Sequence, residues 1–177
     1  MARPLDDDLA EAARVAADLL DTMRAFPGCV GIAAPQIDEL VRLVAVDVSE
    51  HPKAPPSANG ELVLVDPLVT RAAGAKVARE GCLSIPHLTA NVRRATEVVV
   101  EARTPDGSPV EIESAGFEAR CLLHEIDHLD GLLFLDRVDS LATDVFRRKR
   151  YGDGRTGHGR PEADRPDQDA GPDAPRR

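Results

Sequence analysis

Apolar residues recur at Leu9, Ala12, Ala13, Ala16, Leu19, Leu20 and Met23, spacings of three and four that line one face of a helix. Asp6, Asp7 and Asp8 stand ahead of it, where carboxylates complement the positive end of the helix dipole, and Phe26-Pro27-Gly28 ends it. The pattern then changes. Residues 41–48, 61–67 and 97–102 are rich in β-branched side chains and predict strands. Thr104-Pro105-Asp106-Gly107 reads as a hairpin turn into a further strand at 110–113, and His51-Pro52-Lys53-Ala54-Pro55-Pro56 as a surface loop. A second helix is predicted over about 117–130, with Gly131 where a C-cap glycine belongs. Cys121, Leu122, Leu123, Ile126, Leu129, Leu132, Leu133 and Phe134 surround its polar residues, so this helix is expected to be buried, and its histidines and glutamate to need partners. No internal repeat is present. The sum is an α+β domain, small antiparallel sheets packed around a central helix.

Composition narrows this picture. A chain of 177 residues is expected to hold one domain, here 1–151. From 152 to 177 the composition shifts to Gly, Pro, Asp and Arg, with Ala163, Ala170 and Ala174 the only aliphatic side chains, which predicts a disordered solubilising tail. With four Phe, one Tyr and no Trp, the core must be built from Val, Leu, Ile and Ala. No apolar run is long enough to span a bilayer and the N-terminus lacks a secretion pattern, so the protein is expected in the cytoplasm, without membrane contact. Cys29, Cys82 and Cys121 are too sparse for a disulfide framework and are expected as reduced thiols, Cys121 packed in the helix core. A net charge of −9 opposes nonspecific nucleic-acid binding, and no specific DNA binding is expected. The basic run Arg147-Arg148-Lys149-Arg150 is expected to be a solvated helix end, with a contact to ribosomal RNA as the alternative.

The chemistry lies in three segments. In His124-Glu125-Ile126-Asp127-His128 the histidines are four apart, so on a helix both imidazoles can face one metal ion, with Glu125 beside them. Glu80-Gly81-Cys82-Leu83-Ser84 offers Cys82 as third ligand, a soft thiolate that favours Fe, Zn, Co or Ni over Mg or Ca and leaves the fourth position for water. Gly31-Ile32-Ala33-Ala34-Pro35-Gln36 is a small-residue segment that lets backbone approach a ligand and ends in an amide donor. Alone, the HExxH string also fits an exposed helical face or a zinc protease, but the residues after His128 offer no obvious third protease ligand beyond Asp130. His51, His87 and His158 lack ligand spacing and are expected to be exposed, His87 near enough to Cys82 to line a groove.

In this order and at about these separations, GIAAPQ, EGCLS and HEIDH resemble the three signature motifs of the peptide deformylases, over most of the chain from the first helix to about Asp139. The resemblance implies a deformylase-like fold in which Cys82, His124 and His128 hold one divalent metal, Fe²⁺ in the cell with Zn²⁺, Ni²⁺ or Co²⁺ also accommodated. It implies Glu125 as catalytic acid and base, and Gln36 with the backbone N–H of Leu83 as the oxyanion hole. Gly31 and Ile32 would pair with the substrate backbone, and Glu80 and Gly81 would also contact substrate. The implied reaction removes the formyl group from the formylmethionine of new polypeptides, near the ribosome exit region, and releases formate. A secondary copy acting on a specialised formyl amide, or binding formyl peptides without turnover, is the alternative. Cys29 stands where the family has glycine, Ile32 where it has leucine and Arg93 where proline is common, while 87–90 lacks an arginine often found there; a shifted substrate preference is expected. The chain also reaches its first helix sooner than deformylases usually do, which bears on edge packing more than on chemistry.

Overall fold

The computed structural model describes residues 1–6 and 8–148. Helix α1 (Leu9–Ala25) begins where the acidic run ends: the Asp8 carboxylate accepts the Glu11 N–H at 2.9 Å, satisfying a donor that the helix N-terminus leaves open. Its buried face is Ala12, Val15, Ala16, Leu19 and Met23. Leu9 and Ala13, expected on that face, are exposed and Leu20 is half-buried at its margin. The sheet beneath covers a narrower stripe than the helix's apolar content would allow.

Among the described residues, one antiparallel sheet has five strands: β1 (Gly31–Ala33), β2 (Leu43–Val46), β3 (Leu62–Ala73), β6 (Glu97–Arg103) and β7 (Pro109–Ala115), in the order β1-β2-β3-β6-β7. β2 is buried on both faces, Val44 and Val46 in the cluster that includes Leu122 and Ile126 and Leu43 and Ala45 in the cluster that includes α1. That explains why the segment reads as a continuous apolar run rather than an alternation. The predicted hairpin forms between β6 and β7, with the Gly107 N–H donating to the Thr104 carbonyl at 2.8 Å.

Helix α2 (Gly116–Leu129) seats Ala119, Leu122, Ile126 and Leu129 among Val44, Val46, Leu64, Val98, Val100 and Ile112. Gly131 follows in the left-handed region at φ 76°, as a C-cap glycine should. The rest of the helix meets a second sheet, β4 (Lys76–Cys82), β5 (Ile85–Arg94) and β8 (Val145–Arg147), in the order β4-β5-β8. The α+β architecture is the one expected, with small antiparallel sheets on the metal-motif helix.

The strands of the second sheet were not foreseen. Ala78, Glu80 and Cys82 are the less exposed positions of β4 and Arg94 ends β5 buried, so the inward set does not read as hydrophobic. The described part of the basic run departs from expectation as well: Arg147 is in a strand rather than at a helix end, since Ala90, Thr89 and Leu88 of β5 pair with Val145, Phe146 and Arg147 of β8. His87 lies in β5 rather than in a loop. Lys149, Arg150, His158 and the tail expected over 152–177 lie outside the described residues.

Candidate metal centre

Cys82 closes β4, and the register shift between Gly81 and Cys82 re-aims the strand at that point. His124 and His128 come from successive turns of α2. One ligand atom from each of the three residues lies within 4.8 Å of the others, and all three residues are buried. Cys82 Sγ stands 3.2 Å from His128 Nε2, and the two imidazoles meet edge to face with centroids 5.0 Å apart. Phe134 stacks on the far side of His124 at 6.2 Å.

Glu80 sits behind this triad. Its Oε2 is 2.9 Å from His124 Nδ1 and accepts Arg94 Nη2 at 3.0 Å, while Oε1 accepts Arg94 Nε at 2.7 Å and Arg120 Nη1 at 2.6 Å. Both oxygens of Glu80, expected as a substrate contact, are engaged in these bonds; it holds His124 by Nδ1 and leaves Nε2 for the cluster. Arg94 continues to Asp127 Oδ2 at 2.8 Å, and Arg137 closes on Asp127 Oδ1 at 2.6 Å. A buried ionic lattice thus joins α2 to the second sheet where apolar packing would otherwise be expected.

Charges of the pocket's own side chains follow from this arrangement. Burial pushes the Cys82 thiol up, but its bonds to His124 and His128 outweigh that and bring it down to about 5. Burial lowers His124, yet Cys82 and Glu80 hold it at about 10. Burial likewise opposes ionisation of Glu80, and His124 and Arg94 overcome it, leaving the carboxyl at about 2. The pocket therefore stabilises a thiolate beside a captured proton, a place that a divalent cation can take over.

Glu125 is 5% exposed, and its Oε2 is the one buried side-chain polar atom without a hydrogen-bond partner among the described residues. Burial raises its carboxyl to about 7 against the opposing fields of His124 and His128. An orphaned carboxylate oxygen next to a sulfur and two imidazoles is unfavourable in a closed structural cluster, and fits a base facing a catalytic metal's solvent position.

The other expected residues gather on one cavity of about 330 Å³, lined by Gly31, Gln36, Gly81, Cys82, Leu83, His124 and Glu125 among others. Gln36, in a 3₁₀ turn at Ala34–Ile37, accepts the Ala33 N–H at 2.8 Å and points Nε2 to Ser84 Oγ at 3.1 Å and Cys82 Sγ at 3.4 Å. Among the described residues β1 and β4 are edge strands of their sheets, so Gly31 and Gly81 bring two strand edges to this cavity. Ile32 is 2% exposed, its side chain in the α1 core. Cys29 donates its thiol to the Gly31 carbonyl at 3.2 Å, and Cys121 is buried beneath the cavity. His51, expected to be an exposed loop residue, stacks on Phe117 at 4.2 Å and joins the lining, whereas His87 is absent from it.

Residues 2–144 match the family model described as Polypeptide deformylase. The chain belongs to the peptide deformylase family. It is 42% identical over 141 residues to the peptide deformylase of Thermomicrobium roseum, covering 80% of this chain and 78% of that one. It is 39% identical over 142 residues to peptide deformylase 2 of Vibrio cholerae, covering 80% and 81%. A solved class I type b peptide deformylase of Acinetobacter baumannii with Met-Ala-Ser bound superposes with a TM-score of 0.71 at 34% identity, covering 77% of this chain and 89% of that one. As a peptide deformylase the chain is a hydrolase that removes the N-formyl group from N-formylmethionyl peptides and uses one divalent metal ion.

This deformylase's support residues, Arg94, Arg120, Asp127 and Arg137, escaped sequence reasoning. One signal was legible: Arg120 and Asp127 are charged residues within a helix whose setting is apolar, and such groups persist in a core only when paired.

Proposed function

We propose that Cys82, His124 and His128 hold the metal, Fe²⁺ in the cell, and that Glu125 is the acid and base of formyl hydrolysis. Mixed thiolate and imidazole donors suit Fe²⁺, Zn²⁺, Ni²⁺ and Co²⁺. When bound, the ion supplies positive charge that acidifies a water and polarises the formyl oxygen. The observation that carries the reading is the buried, unpartnered Oε2 of Glu125 beside the ligand triad.

Glu125 takes a proton from the attacking water as the new C–O bond forms at the formyl carbon. Burial raises its carboxyl above the ordinary carboxylate range, which favours its keeping that proton until it is passed on. The proton then passes to the amine nitrogen as the C–N bond breaks, leaving formate and a free methionyl amine. Gln36 Nε2 and the Leu83 backbone N–H donate to the charge that develops on the formyl oxygen. The peptide lies along the free edge of β1, pairing with backbone at Gly31 and Ile32, with Gly81 of β4 across the groove. Glu80 serves as a positioning residue for His124.

The work is placed in the cytoplasm, on chains near the ribosome exit region, because formylmethionine marks newly started polypeptides. No described helix is long and apolar enough to cross a membrane. The test is formate release from formyl-Met-Ala-Ser by anaerobically prepared protein loaded with Fe²⁺ or Ni²⁺, beside Glu125→Ala. The variant is expected to keep its metal and lose about 10²-fold to 10⁴-fold or more in kcat. Full activity in it overturns the assignment.

A further inference from the structure

Arg148, the residue that follows β8, does not point away from the enzyme. The Arg148 backbone N–H donates to the His87 carbonyl at 2.8 Å, extending the pairing of β8 with β5 by one residue and fixing where the side chain starts. From there the guanidinium reaches across Thr89 to the bare Cα of Gly81: a Cβ at Gly81 would collide with Arg148 Nη2. Arg148 thereby lines the cavity that holds Cys82, Gln36 and Glu125. It is exposed, and among the described residues no carboxylate or other side-chain partner engages it.

Arg79 reinforces the same rim. Its guanidinium lies 3.4 Å from the centroid of the Phe146 ring of β8, and its Nη1 is 3.5 Å from Thr89 Oγ1. The acidic side chains lining the cavity are Glu80, consumed by Arg94, Arg120 and His124, and Glu125, buried on its floor. Among the described residues, the mouth beside β4 therefore carries two guanidinium groups and no exposed carboxylate in its lining to neutralise them.

We propose that Arg148 is a specificity residue, pairing with a carboxylate on the peptide segment that follows formylmethionine. The inference rests on the hydrolytic reading of this site and extends it to substrate choice. A planar guanidinium presents a fork of donors that matches a carboxylate, and Arg148 holds that fork over Gly81 of β4, across the groove from the β1 edge along which the peptide lies. The carboxylate is either an acidic side chain shortly after the methionine or the free C-terminus of a short peptide.

The two sources separate with four substrates: formyl-Met-Ala-Ser, its C-terminal amide, formyl-Met-Ala-Glu-amide and formyl-Met-Ala-Gln-amide. Wild type, Arg148→Gln and Arg148→Lys are compared in metal-loaded form. Wild type is expected to show a KM lower by about two-fold to five-fold for a carboxylate-bearing peptide than for its neutral partner, the range of a solvent-exposed ion pair. The ratio falls to about one in Arg148→Gln, is partly kept in Arg148→Lys, and shrinks with added salt. The acid–amide pair reports the C-terminus and the Glu–Gln pair the side chain. Formate release from the neutral peptides by wild type establishes the reaction itself, so a missing preference then counts against Arg148 alone. The proposal is overturned if wild type shows no preference in either pair, or if Arg148→Gln keeps the wild-type ratio.

Discussion

A Cβ at Gly31 would stand 2.7 Å from Oε1 of Glu125, so the edge strand and this carboxylate, the proposed acid and base, touch with only bare backbone between them. The glycine is needed for space, since Gly31 is not among the residues with positive φ. Gly31→Ala is expected to push the Glu125 carboxylate from its seat and lower kcat by at least about ten-fold, as misplacement of about 1 Å does. Combined with Glu125→Ala it should cost little more than Glu125→Ala alone. Steady-state kinetics of the double-mutant cycle checks this, and additive losses count against the contact.

Glu80→Gln leaves two buried guanidiniums, Arg94 and Arg120, short of a counter-charge and weakens the hold on His124. Breaking a buried pair of this kind costs about 3–5 kcal/mol. Loss of a residue that orients a ligand lowers metal affinity by about 10-fold to 100-fold. Urea unfolding and chelator competition measure the two effects separately.

The same carboxylate gives a pH dependence with a definite sign. Its folded value of about 2 lies below its ordinary 4.5, so it favours the folded state fully above pH 4.5 and loses that contribution as the pH falls toward 2. In chelated protein, the stability difference between wild type and Glu80→Gln should therefore narrow between pH 5 and pH 3. Denaturant titrations at the two pH values read it directly.

Thiol reactivity should rank the cysteines. Burial pushes Cys29 up, with Glu125 and Cys82 adding to the shift and its bond to the Gly31 carbonyl opposing it; Cys121 is raised further, chiefly by burial. In metal-loaded protein at pH 8, iodoacetamide should label Cys29 more slowly than free cysteine and leave Cys121 untouched. Chelation should add Cys82, whose thiol sits at about 5 without metal. Mass spectrometry of tryptic peptides gives the order.

The local layers of this protein were legible from its residues alone. The helical spacing from Leu9 to Met23, the Thr104–Gly107 turn, Gly131 at a helix end and two histidines one turn apart each depend on neighbours a few positions away. The three chemical motifs were legible for a related reason: a thiolate, two imidazoles and a base at these spacings have few other uses. Tertiary structure decided what depends on partners distant in the chain. β4 and β5 hide Glu80, Cys82 and Arg94 on their inner side, a pattern that reads as polar until Arg120 and Asp127 of α2 are brought against it. The contact of Glu80 with His124 and the place of Arg148 at the mouth of the cavity, rather than at a helix end, emerged only in the tertiary structure. Hydrophobic periodicity records which residues leave water, but the pairing of buried charges is set by folded geometry, and that pairing positions the metal site.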